Sequence, residues 1–352
     1  MLRGDRGTAL VGVTADGNGG NGVLVTGPSS DRPITGISAS SNKLFGVAML
    51  GQTRPRATGI TTANNSVGGL RVSWSTEVAI SDLTTTDDPI GIYTHVGSAQ
   101  ITVDRARISG PRRGLQIEKT TRGLTVNAST IAGASIAGIA IGGHQTTLNQ
   151  VAIADSAAAL RVERGSGEVE ANGLTLTGGS DGIVALSATK DVVLRNLVAD
   201  GVARTAVRTF SAGLQIIDSR ITGSATGVDA GAATTIVGTT IDDAEEGIRS
   251  RSADLVDVDN ATVSALSVGI NVAPGSPVQL AGSHIDALEA IRGTLDQDGI
   301  NDLSLPPLNV LGAIGVPLVL LALVLEQVHA FRQRSTGRAG RRMPPSLPAG
   351  TA

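Results

Sequence analysis

A short pattern of small and apolar residues recurs along almost the whole sequence, and it restricts the possible folds more than any other feature. Two clear copies begin at Gly227 and Gly247, and each contains short segments in which apolar and polar residues alternate. Alternation with a period of two indicates strands with one buried face. A helix would need apolar residues at steps of three and four positions, and these segments lack them. We therefore expect an all-β fold.

The copies have a nearly constant length. Their opening small residues are 20 to 24 positions apart, and a fixed period in this range indicates a solenoid, a propeller or an array. Three short strands and three turns fill about 22 residues, whereas a propeller blade needs roughly 40. Leucine-rich repeats share the period, but their leucine spacing and their asparagine are absent. The pattern predicts a parallel β-helix whose coils open at Gly22, Gly46, Gly69, Gly91, Gly114, Gly138, Ala159, Gly182, Ala206, Gly227, Gly247, Gly269 and Ala290.

Two columns of residues support stacked coils. The aliphatic residues that follow the opening positions would form a ladder inside the solenoid, with about 4.8 Å between coils. This first column is Val23, Val47, Leu70, Ile92, Leu115, Ile139, Leu160, Ile183, Val207, Val228, Ile248, Ile270 and Ile291. A second column carries Asn, Asp and Gly, which tolerate left-handed backbone, and it predicts one tight turn in every coil. It comprises Asp104, Asn127, Asn149, Asn172, Asn196, Asp218, Gly238, Asn260 and Gly282.

On these residues the sequence resembles the right-handed parallel β-helix superfamily, the pectate-lyase-like fold, over about residues 10–295. The resemblance implies a solenoid of about 13 coils of about 22 residues each, with an aliphatic core. The superfamily includes lyases, hydrolases, epimerases, adhesins and inert coils. The resemblance therefore implies a fold and no single activity.

The chain is expected to have four parts: a β-helix at residues 1–295, a linker at 296–307, a transmembrane helix at 308–328 and a basic tail at 329–352. No charged residue occurs from Leu303 to Leu325. At 1.5 Å per residue, a helix over this stretch would be roughly 30–35 Å long, enough to span a bilayer. Pro317 would kink this helix, which membrane helices tolerate.

The charges beside the predicted span set its expected orientation. Five arginines follow it and acidic residues precede it, so the positive-inside rule places the C-terminus in the cytoplasm and the β-helix outside the cell membrane. No secretory signal peptide precedes the first predicted strand, at Thr8–Val13. Export requires such a signal, and we therefore expect the natural start to lie upstream of Met1.

Composition excludes several classes of site. The chain has no cysteine, which excludes disulfides, thiolate metal sites and a cysteine nucleophile. When the five tail arginines and Glu326 are set aside, 23 basic and 30 acidic residues remain, a formal charge of −7 that argues against nucleic acid as a partner. No histidine has a second ligand at metal spacing, so we predict no metal and no cofactor. The excess of Arg over Lys favours a GC-rich bacterial genome.

The catalytic motifs of related enzymes are absent or altered. The sequence has neither the Gly-His-Gly turn with clustered Asp of polygalacturonases nor the Asp-Pro-His-Asp of alginate epimerases. The nearest fragments, Asp87-Asp88-Pro89 and Gly142-Gly143-His144, depart from both patterns. The sequence therefore favours a protein without catalysis. If it is an enzyme, the expected class is a polysaccharide lyase or epimerase.

A polar and aromatic face is predicted where the outward positions of the first strand stack from coil to coil. This stacking brings the only Trp and the only Tyr into adjacent coils. Tyr and Trp offer ring faces for sugars, and Arg, Gln and Glu can hold hydroxyls or a carboxylate. The alternative is an ordinary solvated face. The candidate ligand-binding residues are Arg71, Trp74, Tyr93, His95, Gln116 and Glu118.

Three functions remain open from the sequence. Aromatic residues form only 1% of the chain, which weighs against a dedicated carbohydrate enzyme because its cleft would need several stacking rings. The first hypothesis is a membrane-anchored extracytoplasmic β-helix that binds or scaffolds cell-envelope or exopolysaccharide material, with proteins of envelope biosynthesis as further partners. The second is a polysaccharide lyase or epimerase that acts on uronate-containing glycans. The third is a non-catalytic surface spacer or adhesin.

Overall fold

A computed structural model describes residues 2–3, 9–27, 31 and 33–305 of the chain. These residues form a right-handed, all-β parallel solenoid of about 12 turns, close to the 13 expected from the sequence. The described residues contain no helix that could cross a membrane. The predicted transmembrane helix at 308–328 and the basic tail at 329–352 lie outside the described residues.

Each coil passes through three parallel sheets in the same order. Sheet 1 contains Leu2–Arg3, Val23–Thr26, Phe45–Leu50, Gly68–Ser73, Ile90–His95, Arg113–Ile117, Ala137–Ile141, Ala158–Val162, Asp181–Ala185, Thr205–Thr209, Thr226–Ala230 and Glu289–Arg292. Sheet 2 contains Leu10–Val11, Thr76–Ser81, Ala99–Asp104, Arg122–Asn127, His144–Asn149, Gly167–Asn172, Lys190–Arg195, Leu214–Ile217, Thr234–Val237, Val256–Asp259, Val278–Ala281 and Asp296–Asp298. Sheet 3 contains Thr84–Thr86, Arg107–Ser109, Thr130–Ala132, Ala152–Ala154, Thr175–Thr177, Val198–Asp200, Arg220–Thr222, His284–Asp286 and Asp302–Ser304.

Four longer strands turn a corner and belong to two sheets each. Two of them run from sheet 2 into sheet 3, and they are Pro33–Ser40 and Arg56–Ala63. The other two run from sheet 3 into sheet 1, and they are Thr240–Ser250 and Thr262–Val272. These strands join the three faces into one continuous solenoid.

The core includes the aliphatic column predicted from the sequence, together with inward residues of sheets 2 and 3 such as Ile101 and Ile108. Leu70 pairs in register with Ile92, and Leu115 pairs with Ile139 one coil further on. Each of these side chains is at most 1% exposed. In-register parallel strands repeat the same inward position in every coil, so the column fills the interior along the whole axis.

The small opening residues are needed for space at the corner between sheets 3 and 1. A Cβ atom on Gly91 would lie 2.6 Å from the carbonyl oxygen of Gly114 and 2.7 Å from Cγ2 of Ile108. A Cβ atom on Gly138 would meet Ala159 and Ile153 in the same way, at 2.6 Å from each. In these two coils the close approach of the next coil leaves no room for a Cβ atom, whereas other coils accommodate Ala159 and Ala206 at the same position.

The predicted left-handed turn also occurs. Asn196, Asp218 and Asn260 have φ values of 51°, 49° and 49°. In four earlier coils the left-handed residue is one position later, and these residues are Arg105, Ala128, Gln150 and Gly173. The turn is therefore repeated from coil to coil with a shift of one residue along the chain.

In those four coils the preceding Asp or Asn side chains form a ladder between coils. Asn127 Nδ2 donates to Asp104 Oδ1 at 2.6 Å, and Asn149 Nδ2 donates to Asn127 Oδ1 at 2.9 Å. Asn172 Nδ2 continues the ladder to Asn149 Oδ1 at 3.4 Å. These bonds explain why the polar column is retained where its own backbone is not left-handed.

The solenoid continues into the predicted linker. Asp296–Asp298 pairs with sheet 2, and Asp302–Ser304 pairs with sheet 3. The boundary expected at residue 295 is therefore too early. The prediction relied on apolar alternation, which is absent there. The strand Asp296–Asp298 is fully exposed and is held by backbone pairing to the previous coil.

Candidate functional site

The outward face of sheet 1 brings the six predicted residues into one region. Tyr93 pairs in register with Arg71 on one side and with Gln116 on the other. His95 ends the same strand as Tyr93, and its register partner is Ser73. Because successive coils are about 4.8 Å apart, these side chains form short, closely spaced columns.

An aromatic cluster, defined here as Phe45, Arg71, Trp74, Tyr93 and His95, occupies the first part of this face. The Phe45 and Tyr93 rings are stacked, with centroids 6.0 Å apart and an interplanar angle of 3°. The Tyr93 ring lies 5.1 Å from that of His95, and Trp74 meets His95 edge-on at 6.5 Å. The guanidinium carbon of Arg71 lies 5.8 Å from the Phe45 centroid, a cation–π distance.

Phe45 was not among the predicted residues. It lies one position before an opening glycine, whereas the prediction considered only positions two and four after it. Gly68, its register partner in the next coil, leaves room for the ring, since a Cβ there would be 2.9 Å from Phe45 Cε1. The rarity of aromatic residues in this chain was the signal that could have identified it.

Hydrogen bonds connect the aromatic cluster to Glu118. The Tyr93 hydroxyl donates to Glu118 Oε1 at 3.2 Å, and Gln116 Nε2 donates to the same oxygen at 2.9 Å. Burial raises the pKa of Tyr93, and the negative charge of Glu118 and this hydrogen bond raise it further. Tyr93 is therefore a neutral phenol at neutral pH and can donate its hydroxyl hydrogen bond to Glu118. His95 Nδ1 and Gln116 Oε1 are buried without a hydrogen-bond partner in the described part of the chain.

Trp74 has an unusual backbone for a bulky residue. Its φ is 50°, and the neighbouring glycines Gly51 and Gly97 both have φ values of 66°. A left-handed conformation costs an L-residue roughly 1–2 kcal/mol, yet the Trp74 side chain gains little from burial because the residue is 55% exposed. Left-handed residues recur at the turns of this solenoid, so the strain belongs to the turn, and the distinguishing feature of Trp74 is its exposed ring.

A groove of about 400 Å³ follows the aromatic cluster along the solenoid axis. Its floor includes Ala140 and Gly142, the outward positions of one coil. One wall carries Gln116 and Glu118 and the opposite wall carries Arg161. The groove exists because one coil with small outward side chains lies between two coils with long ones.

The groove is locally positive although the β-helix and linker are acidic. Arg161 pairs with Glu163 at 2.8 Å. The remaining cations of the groove are Arg113, Lys119 and Arg164, and none of them has an ion-pair partner among residues 33–305. We call this feature the cationic groove. Unpaired cations beside exposed rings can hold an anionic ligand.

Asp88 and His144, from the two motif fragments, do not belong to the aromatic cluster, whereas Gly142 lies in the floor of the cationic groove. Asp88 is 1% exposed and accepts hydrogen bonds from Asn65 and Thr62, so it is part of the interior. His144 begins a strand of sheet 2 between Arg122 and Gly167, not on sheet 1. Within the described ranges, no group of three His, Asp or Glu side chains could hold a metal ion.

Comparison with known families agrees with this geometry. The family model described as right handed beta helix region matches residues 1–158, somewhat less than half of the chain. The described residues have the fold of this family, a right-handed parallel β-helix. No curated protein matches the sequence of this β-helix protein.

Solved structures with the same fold include carbohydrate-active enzymes. The catalytic domain of a GH87 α-1,3-glucanase in complex with tetrasaccharides is 12% identical with a TM-score of 0.53, over 84% of this chain and 64% of that chain. The catalytic unit of the Streptomyces thermodiastaticus GH87 α-1,3-glucanase is 14% identical with a TM-score of 0.40, and the match covers 84% of this chain and 62% of that chain. The AlgE4 A-module, a mannuronan C-5 epimerase of Azotobacter vinelandii, is 13% identical with a TM-score of 0.44, and the match covers 86% of this chain and 91% of that chain. The β-helix protein thus spans less than two thirds of both glucanase chains, and at these identities the likeness shows the fold alone.

Proposed function

We propose that this β-helix protein binds a polysaccharide on the outer face of sheet 1. The observation that carries the proposal is the position of its aromatic residues. The described ranges contain four of the five aromatic residues of the chain. All four belong to sheet 1 or to the residue that follows one of its strands, and they are Phe45, Trp74, Tyr93 and Phe210. The four described rings all lie on one of three faces. Phe45 is only 5% exposed, but Trp74 and Phe210 are 55% and 44% exposed, and exposed rings on one face can stack on sugars.

Trp74 is the main stacking residue in this proposal. Its indole is exposed, its backbone is strained, and it lies between two glycines that leave its surroundings open. The edge contact with His95 orients the ring. An oriented, exposed ring is ready to stack on a sugar without further ordering of the side chain, which lowers the entropic cost of binding.

The GH87 glucanase catalytic domain supports the proposal only by analogy. That protein shares the fold at a TM-score of 0.53 and was studied in complex with tetrasaccharides. The membrane anchor at 308–328, the extracytoplasmic position of the β-helix and partners from envelope biosynthesis remain proposals that rest on sequence.

Binding of the full-length protein to a panel of acidic and neutral polysaccharides, measured by calorimetry, tests the proposal. Trp74→Ala should weaken binding to the preferred glycan about tenfold, as expected for loss of one stacked ring. The matched control is Leu255→Ala, since Leu255 is 48% exposed and lies outside sheet 1. Absence of binding across the panel, or equal effects of both variants, would leave the surface spacer or adhesin as the function.

One observation favours a second candidate, the polysaccharide lyase or epimerase. The Tyr93 phenol contacts Glu118, and the Tyr93 and His95 rings are adjacent. This arrangement brings a phenol and an imidazole side by side, two kinds of group that can exchange protons with a sugar carbon. Tyr93→Phe should then abolish unsaturated or epimerised product while binding persists. Lack of product from polyuronates with the unsubstituted protein would exclude this candidate.

A further inference from the structure

A second exposed ring lies on the same face beyond the cationic groove. Phe210 is 44% exposed and directly follows the sheet 1 strand Thr205–Thr209. The in-register pairing of sheet 1 puts it in the same column as His95. The intervening members of this column are Glu118, Gly142, Glu163 and Leu186. Phe210 and the aromatic cluster are therefore two ends of one straight row.

The Phe210 ring has a defined position. A Cβ atom on Gly231, in the next coil, would lie 3.3 Å from Phe210 Cδ1, so the ring packs over this glycine. The backbone N–H of Phe210 donates to the carbonyl of Ala185 at 2.8 Å. The ring is thus supported on one side while almost half of the residue remains exposed.

The face changes character beyond Phe210. Asp229 lies one coil further on sheet 1, with its side chain 2% exposed, and Arg208 and Arg251 both pair with it. Glu246 and Arg249 form another pair in the following coil. These charges already satisfy one another and have little capacity left for a ligand. The charges Asp229, Glu246, Arg208, Arg249 and Arg251 at and beyond Phe210 are therefore paired, unlike the unpaired cations of the cationic groove.

We infer that Phe210 is a second sugar-stacking site and that the ligand is a linear anionic polysaccharide lying parallel to the solenoid axis. Its sugar rings would stack on Trp74 at one end and on Phe210 at the other. Its carboxylate or sulfate groups would lie in the cationic groove, over Arg113, Lys119 and Arg164. This inference rests on the proposed function. Trp74 lies six coils before Phe210, so the ligand must extend over about 29 Å to contact both rings.

A length series of defined oligosaccharides, titrated into the full-length protein by calorimetry, tests the inference. Polyuronate, sulfated and neutral series distinguish the two anionic groups from each other and from an uncharged chain. Affinity should rise steeply once an anionic chain can span both rings. Phe210→Ala should remove this gain, so that the affinity for long anionic chains falls about tenfold while the affinity for short ones is unchanged. Trp74→Ala should lower the affinity for long and short chains alike. Arg164→Gln should reduce the salt dependence of binding.

Val198→Ala is the matched control, because Val198 is 42% exposed on sheet 3, and circular dichroism confirms that each variant is folded. If no oligosaccharide of any length binds, the proposed function itself fails. If long oligosaccharides bind, and Trp74→Ala weakens their binding while Phe210→Ala does not, the proposed function stands and the second stacking site is overturned. Equal affinity for neutral and anionic chains of the same length would overturn the anionic ligand.

Discussion

Asn65 donates both its backbone N–H and its side-chain amide to one oxygen of Asp88, Oδ1, at 2.7 Å and 3.0 Å. Asn42 lies one coil earlier, and its backbone N–H and side-chain amide donate in the same way to Oδ1 of Asn65, at 3.0 Å and 2.9 Å. Thr62 Oγ1 donates to the second carboxylate oxygen of Asp88 at 2.6 Å. Within this ladder, Asn42, Asn65 and Asp88 are each at most 1% exposed. A carboxylate therefore ends a buried row of amides.

The first prediction is that Asp88→Asn stabilises the protein at neutral pH. Burial raises the pKa of Asp88, and the hydrogen bonds from Thr62 and Asn65 offset this only in part. A carboxyl with a raised pKa contributes most to stability below its unfolded pKa, and this contribution is lost as the pH rises through its folded pKa. Asparagine keeps the acceptor for Asn65 without the buried charge.

Urea denaturation of the two proteins across the acid and neutral range measures this effect. The advantage of the variant should shrink as the pH falls and Asp88 becomes protonated. Asp200→Asn is the control, since Asp200 is exposed. A variant that is clearly less stable at neutral pH would mean that the hydrogen bonds to the second oxygen outweigh the cost of burying the charge.

The second prediction concerns His284, which lies between two carboxylates near the end of the solenoid. Its Nε2 is 3.0 Å from Asp286 and its Nδ1 is 2.9 Å from Asp302. Desolvation lowers the pKa of His284, but the hydrogen bonds and charges of both aspartates outweigh it, and the pKa lies above its ordinary value. A neutral imidazole has only one N–H, so both carboxylates are satisfied only by the charged ring.

Stability from this raised pKa is fully present below the unfolded pKa of histidine, about 6.5, and is lost as the pH rises through the folded pKa. Asp302 belongs to the last described strand, Asp302–Ser304. The backbone amides of this strand should therefore lose protection from hydrogen exchange as the pH rises, once exchange rates are corrected for their intrinsic pH dependence. His284→Gln should remove this pH dependence. If protection in the unsubstituted protein does not change with pH, the stabilising pairing of charged His284 with Asp286 and Asp302 would be contradicted.

The third prediction tests the inward column. Ile183 is fully buried between Leu160 and Val207, and an aspartate there would have no partner for its charge. Ile183→Asp should cost several kcal/mol of unfolding free energy or prevent folding. The adjacent Val184 points outward and is only partly buried, so Val184→Asp should have a much smaller effect. Equal urea midpoints for the two variants would show that the inward register is wrong.

The fourth prediction separates stability from binding at Trp74. Glycine adopts a left-handed backbone without strain, so Trp74→Gly should raise the free energy of unfolding by about 1 kcal/mol. The same change removes the main stacking ring and should abolish or strongly weaken glycan binding. Gly97→Ala, at a neighbouring left-handed position, should destabilise by a similar amount. A less stable Trp74→Gly protein would mean that the contact with His95 outweighs the strain.

The candidate site was only partly predictable from sequence. The repeat placed Arg71, Tyr93 and Gln116 on one outward column, because alternation in register decides which side chains share a face. It did not identify Phe45, whose stacking on Tyr93 depends on the space left by Gly68. It did not reveal the cationic groove either, which depends on one coil with small side chains lying between two coils with long ones.

The fold itself was determined by the sequence alone, since alternation within a strand and a fixed period between strands both act locally and repeat in every coil. The tertiary structure decided where the solenoid ends, because Asp296–Asp298 pairs through its backbone and needs no apolar side chain. It also decided which charges neutralise one another, as Arg251 does with Asp229, and which remain unpaired, as Arg113 does in the described chain. Side-chain contacts between coils depend on distances of a few ångströms across the stack, and a periodic pattern along the chain does not contain them.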